Sequence, residues 1–128
     1  EEVAAEDQDT TKALPFESIV WTLYAFSEGG KNTPPAKDSK ITASFNEGKV
    51  SGSAGCNVFN GAFSATESGG LEVSDLAATK RLCEGFMGQE TSFLELMRQA
   101  SAWKMDRVEL KVTSGKTTLI FHNTPKGN

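Results

Sequence analysis

A chain of 128 residues, 38% hydrophobic and 23% charged, is long enough to bury one core and too short for two. A net charge of −4 and a pI near 5.0 exclude the basic face that a nucleic-acid binder needs to neutralise phosphates. No run approaches the roughly 18 apolar residues of a membrane span, so a single globular domain is expected.

Residues 1–14 are acidic and polar without periodicity, and read as a disordered leader or tether. The chain begins Glu1-Glu2-Val3 without a methionine, which reads as a cut edge left by processing or cloning. The folded domain is expected over residues 15–124, with 125–128 a flexible C-terminus. Ile19-Val-Trp-Thr-Leu-Tyr-Ala-Phe26 is rich in β-branched and aromatic residues and predicts the first strand. Residues 27–39 carry Gly29-Gly30 and Pro34-Pro35 and read as a long loop.

Ile41-Thr-Ala-Ser-Phe-Asn46 alternates, placing Ile41, Ala43 and Phe45 on one face. Asn46-Glu47-Gly48 reads as a hairpin turn, and Lys49-Val-Ser-Gly-Ser-Ala54 as the returning strand. Further strands are predicted near residues 62–66 and at Leu71-Glu-Val-Ser-Asp-Leu76, separated by Ser68-Gly69-Gly70. Phe93, Leu96, Met97 and Ala100 follow helical spacing and predict one helix over about 88–100, with Glu90 and Glu95 toward its start and Arg98 near its end, as the helix dipole favours. Three strands follow at 102–105, 108–112 and 117–122. Tight turns and one late helix predict a mainly β (α+β) fold: an antiparallel sheet curled around or packed on that helix.

Catalytic motifs do not emerge. His122 is the sole histidine and reads as an exposed or edge residue, so a two-His metal site is impossible. Gly52-Ser53-Ala54-Gly55 lacks the residue that a nucleophile elbow places between Gly and Ser. Gly29-Gly30-Lys31 lacks the first glycine of a phosphate loop, since residue 25 is Ala, and Asn32 stands where Ser or Thr belongs. Cys56 and Cys83 are too far apart for a redox pair of the C-x-x-C kind, and either a disulfide or two buried thiols is open to them. Acidic pairs are plentiful, but none sits in a distinctive context. No metal, cofactor or enzymatic activity is expected.

The segment Gly52-Ser-Ala-Gly-Cys-Asn-Val-Phe-Asn-Gly61 has a structural reading. Gly52 within a strand marks a close backbone approach or a bulge, and Gly55 and Gly61 bracket a turn. Asn57 at the bend is suited to bonding local backbone groups, which leaves Phe59 and Phe63 free to enter the core.

With Trp21-Thr-Leu, Val50-Ser-Gly-Ser-Ala-Gly-Cys-Asn-Val-Phe-Asn-Gly-Ala-Phe63, Ala78-Thr-Lys-Arg-Leu-Cys83, the helix from Glu90 to Met97 and the final strands Leu110 to Phe121, the chain resembles the META/HslJ family. The likeness covers residues 16–123. It implies a half-open, barrel-like antiparallel sheet with one packed helix, a bacterial envelope setting of the periplasmic or outer-membrane lipoprotein type, and a link to stress response such as heat shock, or to drug tolerance. It brings no catalytic residues. Leu82-Cys83-Glu84-Gly85 departs from the family's more usual Met-Cys and polar stretch, which puts the start of the helix in question.

In such a fold Cys56 and Cys83 come close together, and the envelope setting favours a disulfide. The bond would close a loop of about 28 residues and contribute about 3–4 kcal/mol by chain entropy. Two thiols packed as small hydrophobes are the alternative.

The expected function is a non-enzymatic envelope binding or scaffold module, a monomer that engages an unknown protein or apolar ligand and is tethered through its acidic leader, with an upstream lipid anchor left open. One alternative is carriage of an apolar ligand or lipid in a cleft lined by Trp21, Phe45, Phe59, Phe93 and Trp103, although these aromatics also serve simply as core. Another is inhibition of a partner enzyme through the loop at 27–39.

Overall fold

The computed structural model describes residues 14–123 except Asp38, so the readings of residues 1–13 and 125–128 lie outside the described part. Strands β1 (Trp21–Glu28), β2 (Lys31–Thr33), β3 (Ile41–Asn46), β4 (Lys49–Ala54), β5 (Val58–Ala65) and β6 (Leu71–Ala78) precede helix α1 (Met87–Arg98). Strands β7 (Ala102–Asp106), β8 (Glu109–Ser114) and β9 (Thr117–Asn123) complete the chain. All pairings are antiparallel, and the strands form one sheet in the order β6-β5-β4-β3-β1-β9-β8-β7, with β2 a spur on β1.

The first and last strands lie side by side at the middle of this sheet. Its two edges are therefore β6 and β7, the strands that flank α1 in sequence. They meet at one end only: Gly70 bridges Ala102, Leu71 N donates to Ser101 O at 3.1 Å, and Trp103 N donates to Gly69 O at 2.8 Å. The sheet thus curls into a half-barrel, as predicted, and α1 packs on β6 and β4.

Alternation explains most of the strands. Ile41, Ala43 and Phe45 of β3 are fully buried on one face. The two-residue turn Glu47-Gly48, both at positive φ, matches the twist of the β3–β4 hairpin. Residues 27–39 depart from the predicted long loop. β1 runs on to Glu28, turns through Gly29-Gly30 at φ of 61° and 82°, and returns as β2, with Phe26, Ser27 and Glu28 opposite Thr33, Asn32 and Lys31. Paired positive φ values define a tight hairpin turn that two glycines adopt without strain.

β5 is longer than predicted, starting at Val58, and α1 buries Glu90, Phe93, Leu94 and Met97, so Leu94 replaces Leu96 as the deeper leucine. A short turn with Phe86 N donating to Cys83 O at 3.1 Å leads into α1, and Phe86 occupies the N-cap without a side-chain cap.

The core holds two groups of rings. Phe16, Phe45, Phe63 and Trp103 meet at one end, with Phe16–Phe45 at 5.2 Å and Phe16–Trp103 at 4.8 Å between centroids. Phe59, Phe93 and Phe121 form the other, with edge-to-face contacts of 5.6 and 6.4 Å. The buried indole of Trp21 donates to Phe16 O at 2.9 Å, which ties the segment before β1 to the core.

Candidate functional site

The glycine–cysteine segment forms the corner between β4 and β5. Gly52 pairs with Ala43, and a Cβ at Gly52 would collide with the Thr42 carbonyl oxygen, so close backbone approach is the reason for that glycine. Gly61 has a related role opposite Ser74 and Leu76, where the β5–β6 register shifts. Gly55, at φ of 110°, turns the chain so that Ala54 N reaches Asn57 O at 2.8 Å.

Asn57 is 1% exposed and its amide is fully used. Its Nδ2 donates to Glu90 Oε2 at 2.6 Å and to Arg81 O at 3.0 Å. Its Oδ1 accepts from Arg81 N at 2.6 Å and Thr79 Oγ1 at 2.8 Å. One side chain thereby holds both backbone groups of Arg81.

Glu90, 4% exposed, supports that amide from α1. Its Oε1 accepts from the backbone N of Cys56 at 3.1 Å and of Asn57 at 2.8 Å. Three N–H donors and the position in the helix's first turn offset the buried carboxylate. Sequence reasoning reads Glu90 only as an acidic residue placed to suit the helix dipole; its partners lie 33 and 34 residues away, and no local pattern announces them.

Cys56 and Cys83 are joined by a disulfide, with Cα atoms 5.9 Å apart. The segment from Thr79 to Gly85 is thus fixed at several points. Thr79 N donates to Val58 O at 3.1 Å, Arg81 is held at both backbone groups, Cys83 is cross-linked, and its carbonyl accepts from Phe86. Between these anchors Leu82 is 88% exposed, the most exposed of the large hydrophobic residues among those described. Its own N–H and carbonyl make no hydrogen bond among the described residues.

A second loop borders the same helix end. Gln89 accepts from Ala36 N at 2.6 Å through Oε1 and donates to Ser39 Oγ at 3.1 Å through Nε2, which docks the loop at those two residues. Sequence reasoning did not single out Gln89, and it noted Leu82 only as part of a departure from the family pattern.

The five aromatics proposed as a cleft lie elsewhere. Trp21, Phe45, Phe59 and Phe93 are at most 1% exposed and pack within the core. Trp103 sits at its rim, its indole donating to Thr66 O at 2.9 Å. None of them lines the surface cleft of about 470 Å³ between α1 and the β1–β9 pair, which Phe26, Glu28, Thr91, Ser92, Glu95, Leu96 and Thr117 border. His122 stacks on Tyr24 at 4.2 Å between centroids and lies 3.3 Å from Glu109 on the outer face. Among the described residues, no cluster of His, Cys, Asp or Glu is arranged to hold a metal ion, and no helix is long and apolar enough to cross a membrane.

A half-barrel of antiparallel strands, one helix and a disulfide-bonded corner define the class. The sequence matches the META domain over residues 15–126, and the chain belongs to that family. Its structure is similar to an NMR structure of a protein from Burkholderia xenovorans, with a TM-score of 0.72 at 20% identity, covering 98% of this chain and 95% of that one. It also resembles a second protein solved by NMR, with a TM-score of 0.65 at 23% identity over 91% of this chain and 100% of the other. A crystal structure of a DUF4847 family protein from Bacteroides vulgatus gives a TM-score of 0.63 at 17% identity, over 84% and 94% of the two chains. Curated proteins contain no match to the sequence.

Proposed function

We propose that this chain is an exported, non-enzymatic binding module of the cell envelope, and that it engages a protein partner through residues 79–85. The observation that carries this reading is Leu82: a large apolar side chain, 88% exposed, on a backbone fixed by Asn57 on one side and a disulfide on the other. Pre-ordering a recognition loop lowers the entropy that binding must otherwise overcome.

The disulfide accords with an oxidising compartment outside the cytosol. The non-enzymatic part of the proposal draws support from the buried polar residues. Asn57, Glu90 and Ser114 are each committed to backbone or to one another, Ser114 through its hydroxyl to Leu96 O at 2.6 Å. The envelope and stress-response setting is part of the proposal and rests on the family resemblance alone. Carriage of an apolar ligand draws less support, because the aromatic side chains that would line a cleft pack on one another.

Photo-crosslinking in cells tests the proposal. A photoreactive side chain at Leu82 is expected to capture a protein, whereas one at Val108, also exposed at 63%, is expected to capture none. Equal labelling from both positions, or none from either, would refute a loop-directed partner.

A further inference from the structure

We propose that residues 80–83 occupy the active-site cleft of an extracytoplasmic serine endoprotease as a substrate-like inhibitory loop, with Leu82 filling an apolar primary pocket. This rests on the reading of residues 79–85 as the binding surface, and adds the class of partner and the residue that selects it.

The first argument is the division of labour along the backbone. An acyl-transfer protease must place the carbonyl of the scissile bond in its oxyanion hole, within reach of its nucleophile. The carbonyl of Arg81 accepts from Asn57 Nδ2 at 3.0 Å, and its N–H donates to Asn57 Oδ1 at 2.6 Å. Arg81 is therefore a fixed neighbour, and its cationic head does not select the partner. Leu82 has both backbone groups uncommitted and its side chain in solvent. The peptide that can be presented is Leu82–Cys83, and the matching pocket is apolar, unlike the acidic pocket of a trypsin-type enzyme.

The second argument concerns what happens after cleavage. Hydrolysis of Leu82–Cys83 consumes one water and gives a Leu82 carboxylate and a Cys83 amine. Cys83 stays bonded to Cys56, and Arg81 stays hydrogen-bonded to Asn57, so both new ends remain at the corner. Held together in this way, the ends re-form the peptide far more readily than two free molecules would. The loop binds as a substrate does, but the products do not leave.

An anionic lipid surface is the other occupant to weigh, since Lys80 and Arg81 flank Leu82. Interfacial binding scales with buried apolar area, and Leu82 is the segment's single exposed large hydrophobic residue. Nor does lipid contact require both backbone groups of Arg81 to be held.

The oxidised full chain is titrated against chymotrypsin-type, subtilisin-type and trypsin-type proteases acting on chromogenic peptides. Inhibition is expected for the first two. Leu82→Asp is expected to weaken it by about 100-fold, and Leu82→Arg to transfer it to the trypsin-type enzyme. Unchanged melting temperatures would show that both variants are folded. Intact activity of the apolar-pocket enzymes, or inhibition undiminished by Leu82→Asp, overturns the proposal. Leu82-dependent binding to phosphatidylglycerol vesicles without inhibition also overturns it, in favour of lipid contact. A crosslink from position 82 to a protein that is not a protease would remove the protease assignment and leave the binding loop standing, whereas no crosslink at all would remove both.

Discussion

Two loops meet at the start of α1 and are held in different ways. Ala36 and Ser39 are docked by one polar side chain, Gln89, through two hydrogen bonds. Residues 79–85 are held by a disulfide and by three hydrogen bonds of the Asn57 amide, whose fourth goes to Glu90 behind it. The stronger anchoring belongs to the loop with the more conspicuous apolar tip. A connector needs only enough contact to stay down, whereas a recognition loop gains from being fixed while its tip stays in solvent.

Breaking the covalent anchor has the largest expected effect. Replacing both Cys56 and Cys83 by Ser should cost about 3–4 kcal/mol, the entropy of closing a loop of this length, read as a lower urea midpoint against the oxidised parent. Glu90→Gln comes next, at about 2–3 kcal/mol. The new amide must turn an NH2 group toward either Asn57 Nδ2 or the two backbone N–H groups that Glu90 Oε1 accepts. Chemical denaturation with an unchanged m-value would show that the loss lies in the folded state.

Gln89→Ala should cost about 1 kcal/mol by the same measurement, since it removes part-buried bonds to a single loop. Its faster amide exchange should be confined to Ala36 and Ser39. Leu82→Asp should change stability by no more than about 0.5 kcal/mol, because the side chain is already in water. That last comparison separates a residue kept for binding from one kept for folding.

The sequence makes the frame of this molecule legible where physics is local. Ile41, Ala43 and Phe45 alternate, Glu47-Gly48 supplies the turn, and Gly52 marks the close approach of β4 to β3. β2 escapes because Lys31, Asn32 and Thr33 are all exposed and carry no alternation; Gly29-Gly30 was the available sign. The corner was legible in part. Asn57 is recognisable as a residue that bonds backbone, but its partners Thr79, Arg81 and Glu90 are set by the tertiary path. Leu82 was visible as a departure from the family pattern, and bears on the loop's exposed tip more than on the start of the helix. Its exposure follows from anchors on either side, which sequence alone does not show.

The most direct test of the fixed loop is amide hydrogen exchange at Arg81, measured residue by residue on the oxidised protein. Arg81 is exposed, yet its N–H is bonded to Asn57 Oδ1 at 2.6 Å, so it should exchange markedly more slowly than the neighbouring amides of Lys80 and Leu82, and lose that protection in Asn57→Ala. An Arg81 amide that exchanges as fast as its neighbours in the parent protein would contradict the account.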